Sequence, residues 1–392
     1  MERIGIYGGT FNPPHTGHIG AARQAVNLLK LDKLLLVPDR IAPHKEIPEN
    51  SPTPEQRLEM LRIAVAGDEK IEVSDIELNR EGKSYTYQTV LQLREAYPDA
   101  RLVLLMGTDM FLSFLDWKEP GIILENAAIG VFYRGEKGEK EAILAQKAAL
   151  EAMGAEVELV ENEITAISST QMRRLLAFHA ADEFLPAGVA DYIRAHGLYD
   201  TAADWKNLPM NELESIVIRL LNPNRVAHVL GCRDTAVELA RHWGADETDA
   251  ARAGILHDIT KALDGPLHLT LCAAYGKILS AFSRKYPKTL HALTGSLVAE
   301  KIFGENEAVV TAICHHTTGR ANMGLLEKII YVADYMEPCR NFPGVEKLRE
   351  LAYSDIDAAL KLGLEMTLVH LNNQGSEVSP ESREALAFLN NR

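Results

Sequence analysis

Gly8-Gly9-Thr10-Phe11-Asn12-Pro13-Pro14-His15-Thr16-Gly17-His18 directly follows a short apolar run, Ile4-Gly5-Ile6-Tyr7. This order predicts a buried strand, a glycine turn, and a helix beginning near Ile19 with two histidines three residues apart at its start. Glycines let the backbone approach a ligand closely, and a helix N-terminus offers free N–H groups and a positive dipole end to phosphate. Two imidazoles in one turn add donors for charge that develops on a phosphoryl group. Thr10, Asn12, His15 and His18 are all polar groups spent on one loop. The stretch therefore predicts that the first half of the chain binds a nucleotide and transfers part of it.

Outward from this loop, apolar runs at 4–7, 33–37, 71–74, 102–106, 128–133 and 157–160 alternate with helical patterns at 19–29, 54–66, 86–96 and 139–153. Alternation at this spacing predicts an α/β, Rossmann-like domain: a parallel sheet wrapped by helices, with ligands at the carboxyl ends of the strands. Past Asp200 the strand pattern stops. Residues 201–209, ending in Pro209, read as a linker, and from 210 to 392 apolar residues recur every three or four positions, as in an all-α domain. The expected organisation is 1–200, a linker at 201–209, and 210–392.

The formal charge is −14 over 392 residues. Neither half is basic, which argues against a nonspecific nucleic-acid binder. Phosphate binding must come from local constellations. Four cysteines, Cys232, Cys272, Cys314 and Cys339, show no paired spacing and read as reduced thiols. The amino terminus lacks the long apolar core of a signal peptide, and no run of about 18 apolar residues appears. The expectation is a cytoplasmic protein without a membrane partner. Its oligomeric state is open, a homo-oligomer included.

His15-Thr16-Gly17-His18 resembles the loop of the nucleotidyltransferase superfamily that reads His-x-Gly-His. Pro43-His44-Lys45, Ser84-Tyr85-Thr86, Gly107-Thr108-Asp109, Asp116-Trp117-Lys118 and Ile167-Ser168-Ser169-Thr170-Gln171-Met172-Arg173 follow in order. Together they resemble bacterial nicotinate mononucleotide adenylyltransferases over residues 1–200. The resemblance implies that nicotinate mononucleotide attacks the α-phosphate of ATP, with Mg²⁺ on the phosphates and pyrophosphate leaving. Both reactants are anionic, so the protein has to supply positive charge and alignment. His15 and His18 would stabilise the transition state, and Lys45 would neutralise the leaving phosphates. Ser168, Ser169, Thr170 and Arg173 would form a helix-terminal anion cradle. Gly8 to Asn12 and Gly107 would line the nucleotide, and Asp109 would accept from a ribose. Thr86 and Trp117 would hold the nicotinate nucleotide, the indole offering a face to the pyridine ring.

The second half centres on His257-Asp258 at the end of an apolar helix, with His228 earlier and Asp334 later on other expected helices. His, His-Asp and Asp resemble the ligand set of the HD metallohydrolase superfamily. The flanking text, Arg225-x-x-His228, Leu256 to Lys261, His316-Thr317-Thr318-Gly319, Tyr331 to Asp334 and Glu337-Pro338-x-Arg340, resembles the symmetrical diadenosine tetraphosphate hydrolases of that superfamily. Imidazole and carboxylate together suit divalent Fe, Mn, Zn or Co without selecting one, and iron is the ion expected here. Water of lowered pKa would attack a phosphoanhydride, with Asp258 and Lys261 catalytic and Lys261, His291, His316 and Arg340 on the polyphosphate. Of the adjacent His315 and His316, the Thr-Thr-Gly context favours His316. His179, His196, His242, His268 and His370 fit no constellation and are expected in solvent.

The implied whole is a bifunctional enzyme: adenylyl transfer to nicotinate mononucleotide, and hydrolysis of diadenosine tetraphosphate to two ADP. The rival readings are an HD half that acts on another nucleotide or only senses one, and a first half that uses a different acceptor, such as phosphopantetheine.

Overall fold

The structure, a computed structural model, describes residues 1–43, 48, 50–133, 138–161 and 167–391. The chain divides into two compact units, Met1–Ala203 and Asp204–Arg392.

The first unit is a six-stranded, wholly parallel sheet: β1 (Arg3–Gly9), β2 (Lys33–Pro38), β3 (Ile71–Val73), β4 (Arg101–Gly107), β5 (Ala128–Tyr133) and β6 (Val157–Glu161). The spatial order is β3-β2-β1-β4-β5-β6. Its helices are α1 (Thr16–Leu28), α2 (Pro54–Ala64), α3 (Thr86–Ala96), α4 (Thr108–Leu112), α5 (Pro120–Asn126), α6 (Glu139–Ala152), α7 (Ser169–Ala177) and α8 (Val189–Ala195). A sheet covered on both faces explains why β2, β4 and β5 read as unbroken apolar runs instead of alternating. Chain order reverses between β1 and β4, so a crevice opens at their carboxyl ends, the place where doubly wound sheets bind ligands. Gly8 and Gly9 close β1 there and Gly107 closes β4. A Cβ on Gly107 would meet nothing within 4 Å, so the crevice is open on that side.

The second unit is helical: α9 (Met210–Leu220), α10 (Val226–Trp243), α11 (Glu247–Leu256), α12 (Gly265–Ala274), α13 (Ala281–Lys285), α14 (His291–Lys301), α15 (Glu307–His315), α16 (Leu325–Met336), α17 (Val345–Ser354), α18 (Ile356–Asn373) and α19 (Pro380–Asn390). Part of the stretch expected as a linker is packed into this unit. Trp205 is buried, stacks on Phe303 with ring centroids 5.6 Å apart, and lies 5.8 Å from the Arg219 guanidinium carbon. No helix among the described residues is long and apolar enough to cross a membrane.

One glycine lets two helices of this unit approach to backbone contact. Gly254 in α11 faces the α10 backbone, and a Cβ there would fall 2.7 Å from the Arg233 Cα. Backbone cannot yield as a side-chain tip can, so any substitution must separate α10 from α11. Gly254→Ala is expected to destabilise the helical unit by about 1–3 kcal/mol, read as a lower denaturation midpoint for that unit.

Candidate active sites

In the first unit, His15 caps α1 and His18 occupies its first turn. The two rings stack with centroids 3.6 Å apart and planes 27° from parallel. Phe11 lies edge-on to His18 at 5.1 Å and to Tyr7 at 5.6 Å, forming an apolar floor beneath the pair. Phe11 reaches that position through a left-handed backbone, φ 47°, which a bulky residue adopts only when its surroundings hold it there. Burial pushes the His15 pKa from 6.5 down to about 4. At neutral pH this imidazole is therefore uncharged, with one N–H to donate. Its Nδ1 is buried and has no protein partner.

The loop is held by groups outside the motif. Arg57 of α2, fully buried, donates to the Thr10 carbonyl (2.5 Å), to Asp39 Oδ1 (3.1 Å) and to the Asp39 carbonyl (2.7 Å). Thr10 Oγ1 donates to the other oxygen of the same carboxylate at 2.8 Å. From α7, Arg173 donates to the Asn12 carbonyl at 2.9 Å and to Thr170 Oγ1 at 3.1 Å, so the late Ser-Ser-Thr helix and the opening loop meet. The Ser168 side chain caps α7 by accepting from the Gln171 amide at 3.2 Å. Ser169 begins that helix and is half-buried. Asp109 is exposed in the first turn of α4, directly after β4.

Thr86, the first residue of α3, and Trp117 are brought into one neighbourhood by their chain neighbours. Lys118 Nζ lies 4.4 Å from the centroid of the Tyr85 ring, and half-buried Trp117 packs on Phe114 at 5.4 Å. Lys45 lies outside the described residues.

In the helical unit, His228 on α10, the His257-Asp258 turn after α11, and Asp334 on α16 converge. His228 Nε2 is 3.3 Å from His257 Nε2 and 3.2 Å from Asp334 Oδ1. Asp258 Oδ2 is 3.7 Å from the first imidazole and 3.6 Å from the second. The far nitrogens are committed as donors: His257 Nδ1 to the Gly254 carbonyl at 2.8 Å, and His228 Nδ1 to Glu337 Oε1 at 3.0 Å. Burial keeps His257 neutral, its pKa lowered to about 4, so its Nε2 presents a lone pair to the cluster. His228, His257 and Asp334 bring two ring nitrogens and a carboxylate oxygen close enough together to suit a divalent cation with mixed N and O ligands, the rings oriented by an outer carboxylate and an outer carbonyl.

Asp258 faces two ways. Its Oδ1 is 3.6 Å from His291 Nε2, 3.8 Å from His316 Nε2 and 3.9 Å from Lys261 Nζ, which makes a second donor group with His257 and His316. His316 donates Nδ1 to the Ile313 carbonyl at 2.7 Å, whereas its neighbour His315 turns to Glu327 Oε1 at 3.0 Å. The geometry thus places His316, and not His315, beside Asp258. Lys261 Nζ donates to His291 Nε2 at 2.9 Å. Arg340 pairs with Asp334 at 2.5 Å, and Arg225 contacts Asp258. Burial alone would raise both carboxyls, but the surrounding imidazoles and cations outweigh it and hold them well below the usual range.

Sequence reasoning assigned no role to Arg57, Asp39 and Tyr199 in the first unit, or to Glu337 and Arg225 in the second. Arg57 carried a signal, since with Leu61 and Ala64 it occupies the buried stripe of α2. Glu337 lies three residues past Asp334, close to one helical turn. His268, expected in solvent, is buried and bonded through Nδ1 to Thr294 Oγ1 at 2.8 Å, with its pKa lowered by burial to about 4. The apolar α12 carries it inward. His179, His196, His242 and His370 are exposed.

A parallel sheet with phosphate-type motifs at its switch point, followed by a helical unit with a His-Asp centre, defines a nucleotidyltransferase fold joined to an HD fold. Residues 6–175 match the family described as cytidylyltransferase-like, and residues 225–339 match the HD domain. The chain is 38% identical over 210 residues to a protein of Pseudomonas syringae pv. tomato named probable nicotinate-nucleotide adenylyltransferase, covering 50% of this chain and 94% of that one. It is 36% identical over 198 residues to a protein of the same name from Dictyoglomus thermophilum, covering 50% and 99%. The chain belongs, through its first half, to the nicotinate-nucleotide adenylyltransferase family. A crystal structure described as a predicted HD superfamily hydrolase involved in NAD metabolism, from Clostridium acetobutylicum, is 37% identical, covers 47% of this chain and 98% of that one, and has a TM-score of 0.46.

The neutral, buried His15 ties stability to pH. Its folded pKa, about 4, lies below the 6.5 of a solvated imidazole. Above pH 6.5 neither state binds the proton; as pH falls from 6.5 to 4, the unfolded chain takes it up first and stability is lost. Full expression of the shift is on the order of 3 kcal/mol. His15→Gln is expected to flatten this acid limb, measured by hydrogen exchange at the β1 amides between pH 7 and 4.5.

Proposed function

We propose that the chain is a bifunctional enzyme that joins nicotinate mononucleotide to ATP in the first unit and hydrolyses diadenosine tetraphosphate to two ADP in the second. The observation that carries the first activity is the stacked His15–His18 pair at the β1–β4 crevice, with Arg173 reaching the same loop from α7.

In the transfer, an oxygen of the mononucleotide phosphate attacks the α-phosphorus of ATP and the pyrophosphate bond breaks. The N–H groups of His15 and His18 meet the charge that accumulates on the α-phosphoryl oxygens. Because His15 is neutral and already desolvated, its donor needs no reorganisation when that charge appears. The open ends at Gly8 and Gly107 leave room for the nucleotide. Ser169, Thr170, Arg173 and Lys45 serve the phosphates, and Asp109 the ribose. Mg²⁺ on the phosphate oxygens supplies additional charge neutralisation when bound. Thr86 and Trp117 receive the nicotinate nucleotide.

In the second unit, His228, His257, Asp258 and Asp334 would hold a divalent transition metal, with iron our assignment. When bound, such an ion supplies Lewis acidity at a phosphoryl oxygen and lowers the pKa of water. The protein's own contribution is orientation and charge. Glu337 and the Gly254 carbonyl fix the two imidazoles, Asp258 presents one oxygen to each donor group, and Lys261, His291, His316, Arg225 and Arg340 ring the place a polyphosphate would enter.

Assay of the purified full-length chain with both substrate sets tests this. His18→Ala should lower adenylyl transfer by a factor of about 10² or more and leave hydrolysis intact. Asp258→Ala should abolish hydrolysis and bound transition metal, read by elemental analysis, and leave transfer intact. Products must be two ADP; AMP plus ATP refutes symmetrical cleavage, and equal loss of both activities in either folded variant refutes two independent sites.

Trp117→Ala is expected to raise the apparent KM for nicotinate mononucleotide several-fold with the KM for ATP little changed. Steady-state kinetics with each substrate varied in turn check it, and weakened ATP binding would place the pyridine elsewhere.

A further inference from the structure

The far end of the first unit returns to its opening loop. Tyr199, in the short turn Leu198–Asp200 after α8, is buried and donates its hydroxyl to Asn12 Oδ1 at 2.8 Å. Its backbone is left-handed, φ 57° and ψ 37°, and Asp200 after it is too, φ 63°. A tyrosine is disfavoured in this region, so the fold gives up local stability to bring the phenol inward. Burial also pushes the phenol pKa up, so the hydroxyl is a permanent donor. A permanent donor on one side fixes the amide of Asn12: Oδ1 accepts from Tyr199, and Nδ2 donates to Ser51 Oγ at 2.9 Å. Asn12 is 3% exposed and its carbonyl is taken by Arg173. The polar groups of its side chain are thereby occupied within the protein.

We infer that Tyr199 is a positioning residue for adenylyl transfer, acting through Asn12 to set where His15 and His18 stand. Between Asn12 and His15 lie only Pro13 and Pro14, whose rings fix φ. A stiff two-residue spacer transmits any rotation at Asn12 to the N-cap of α1. Arg57 and Asp39 restrain the loop at Thr10, two residues before Asn12, but no bond from them reaches Asn12 itself. The inference rests on the adenylyl-transfer reading above.

The experiment uses the full chain with ATP and nicotinate mononucleotide. Tyr199→Phe keeps the ring and deletes the donor. It is expected to lower kcat by about 5- to 10-fold, the value of one neutral hydrogen bond, with both KM values within about twofold. Asn12→Ala should also lower kcat, and the double variant should be no worse than Asn12→Ala alone, because Tyr199 then has nothing to act through. Should Tyr199→Phe not fold, Ser51→Ala, on the other side of the same amide, is expected to lower kcat in the same way. Wild-type kcat in Tyr199→Phe, or in Ser51→Ala where that variant is used, overturns the inference, as do losses that simply multiply in the double variant. Absence of nicotinate adenine dinucleotide from the wild-type reaction would instead overturn the adenylyl-transfer reading itself.

Discussion

Both candidate sites depend on imidazoles that have been taken out of water and left neutral. His15 and His257 are pushed to about 4 by burial, and burial drives His291 well down as well. A buried neutral imidazole has one donor and one lone pair, and once a protein partner has claimed either, the other has a fixed direction. In the helical unit the Nδ1 donors are claimed by Gly254 and Glu337, so both Nε2 atoms face inward toward the two carboxylates. In the first unit His15 keeps a buried nitrogen without a protein partner. Everything else in each site serves to hold these rings where solvent would otherwise relax them.

That holding is done at a distance from the chemistry. The glycine loop follows β1, but its shape comes from Arg57 on α2, Arg173 on α7 and Tyr199 near the end of the unit. Each approaches from a different element, which is why a loop containing Phe11 in the left-handed region can be held in one shape. The helical site is built in the same way. Gly254 lets α10 and α11 approach to backbone contact, and Glu337 lies beyond the end of α16, with its carboxylate returned to α10. Removing an orienting group of this kind would leave a ligand in place with its direction lost.

The alternation of apolar runs and helical periods carried the first unit almost strand for strand, because a buried parallel strand needs a continuous apolar run and a short glycine-bearing exit. The convergence of His228, His257, Asp258 and Asp334 was legible for a related reason: His257-Asp258 sits at the end of an apolar helix, where polar residues are hard to explain without a task. What was not legible turned on partners far away in the chain. Trp205 in a polar stretch reads as linker until Phe303 is beside it. His268 reads as solvated until α12 turns it toward Thr294. His315 and His316 are separated only by helix phase at the end of α15, which sends one to Glu327 and the other to Asp258.

The amino-acid sequence by itself determined the two-part architecture and the order of strands and helices, and it marked out the imidazoles and carboxylates that the fold gathers, since these follow from periodicity and from residue types with few other uses. The tertiary structure alone decided which of those groups face one another, which oxygen of Asp258 serves which imidazoles, and which outside residues lock them in place. Those outcomes are set by packing between elements distant in the chain, where a rotation of a single residue changes the partner and no local pattern records the choice.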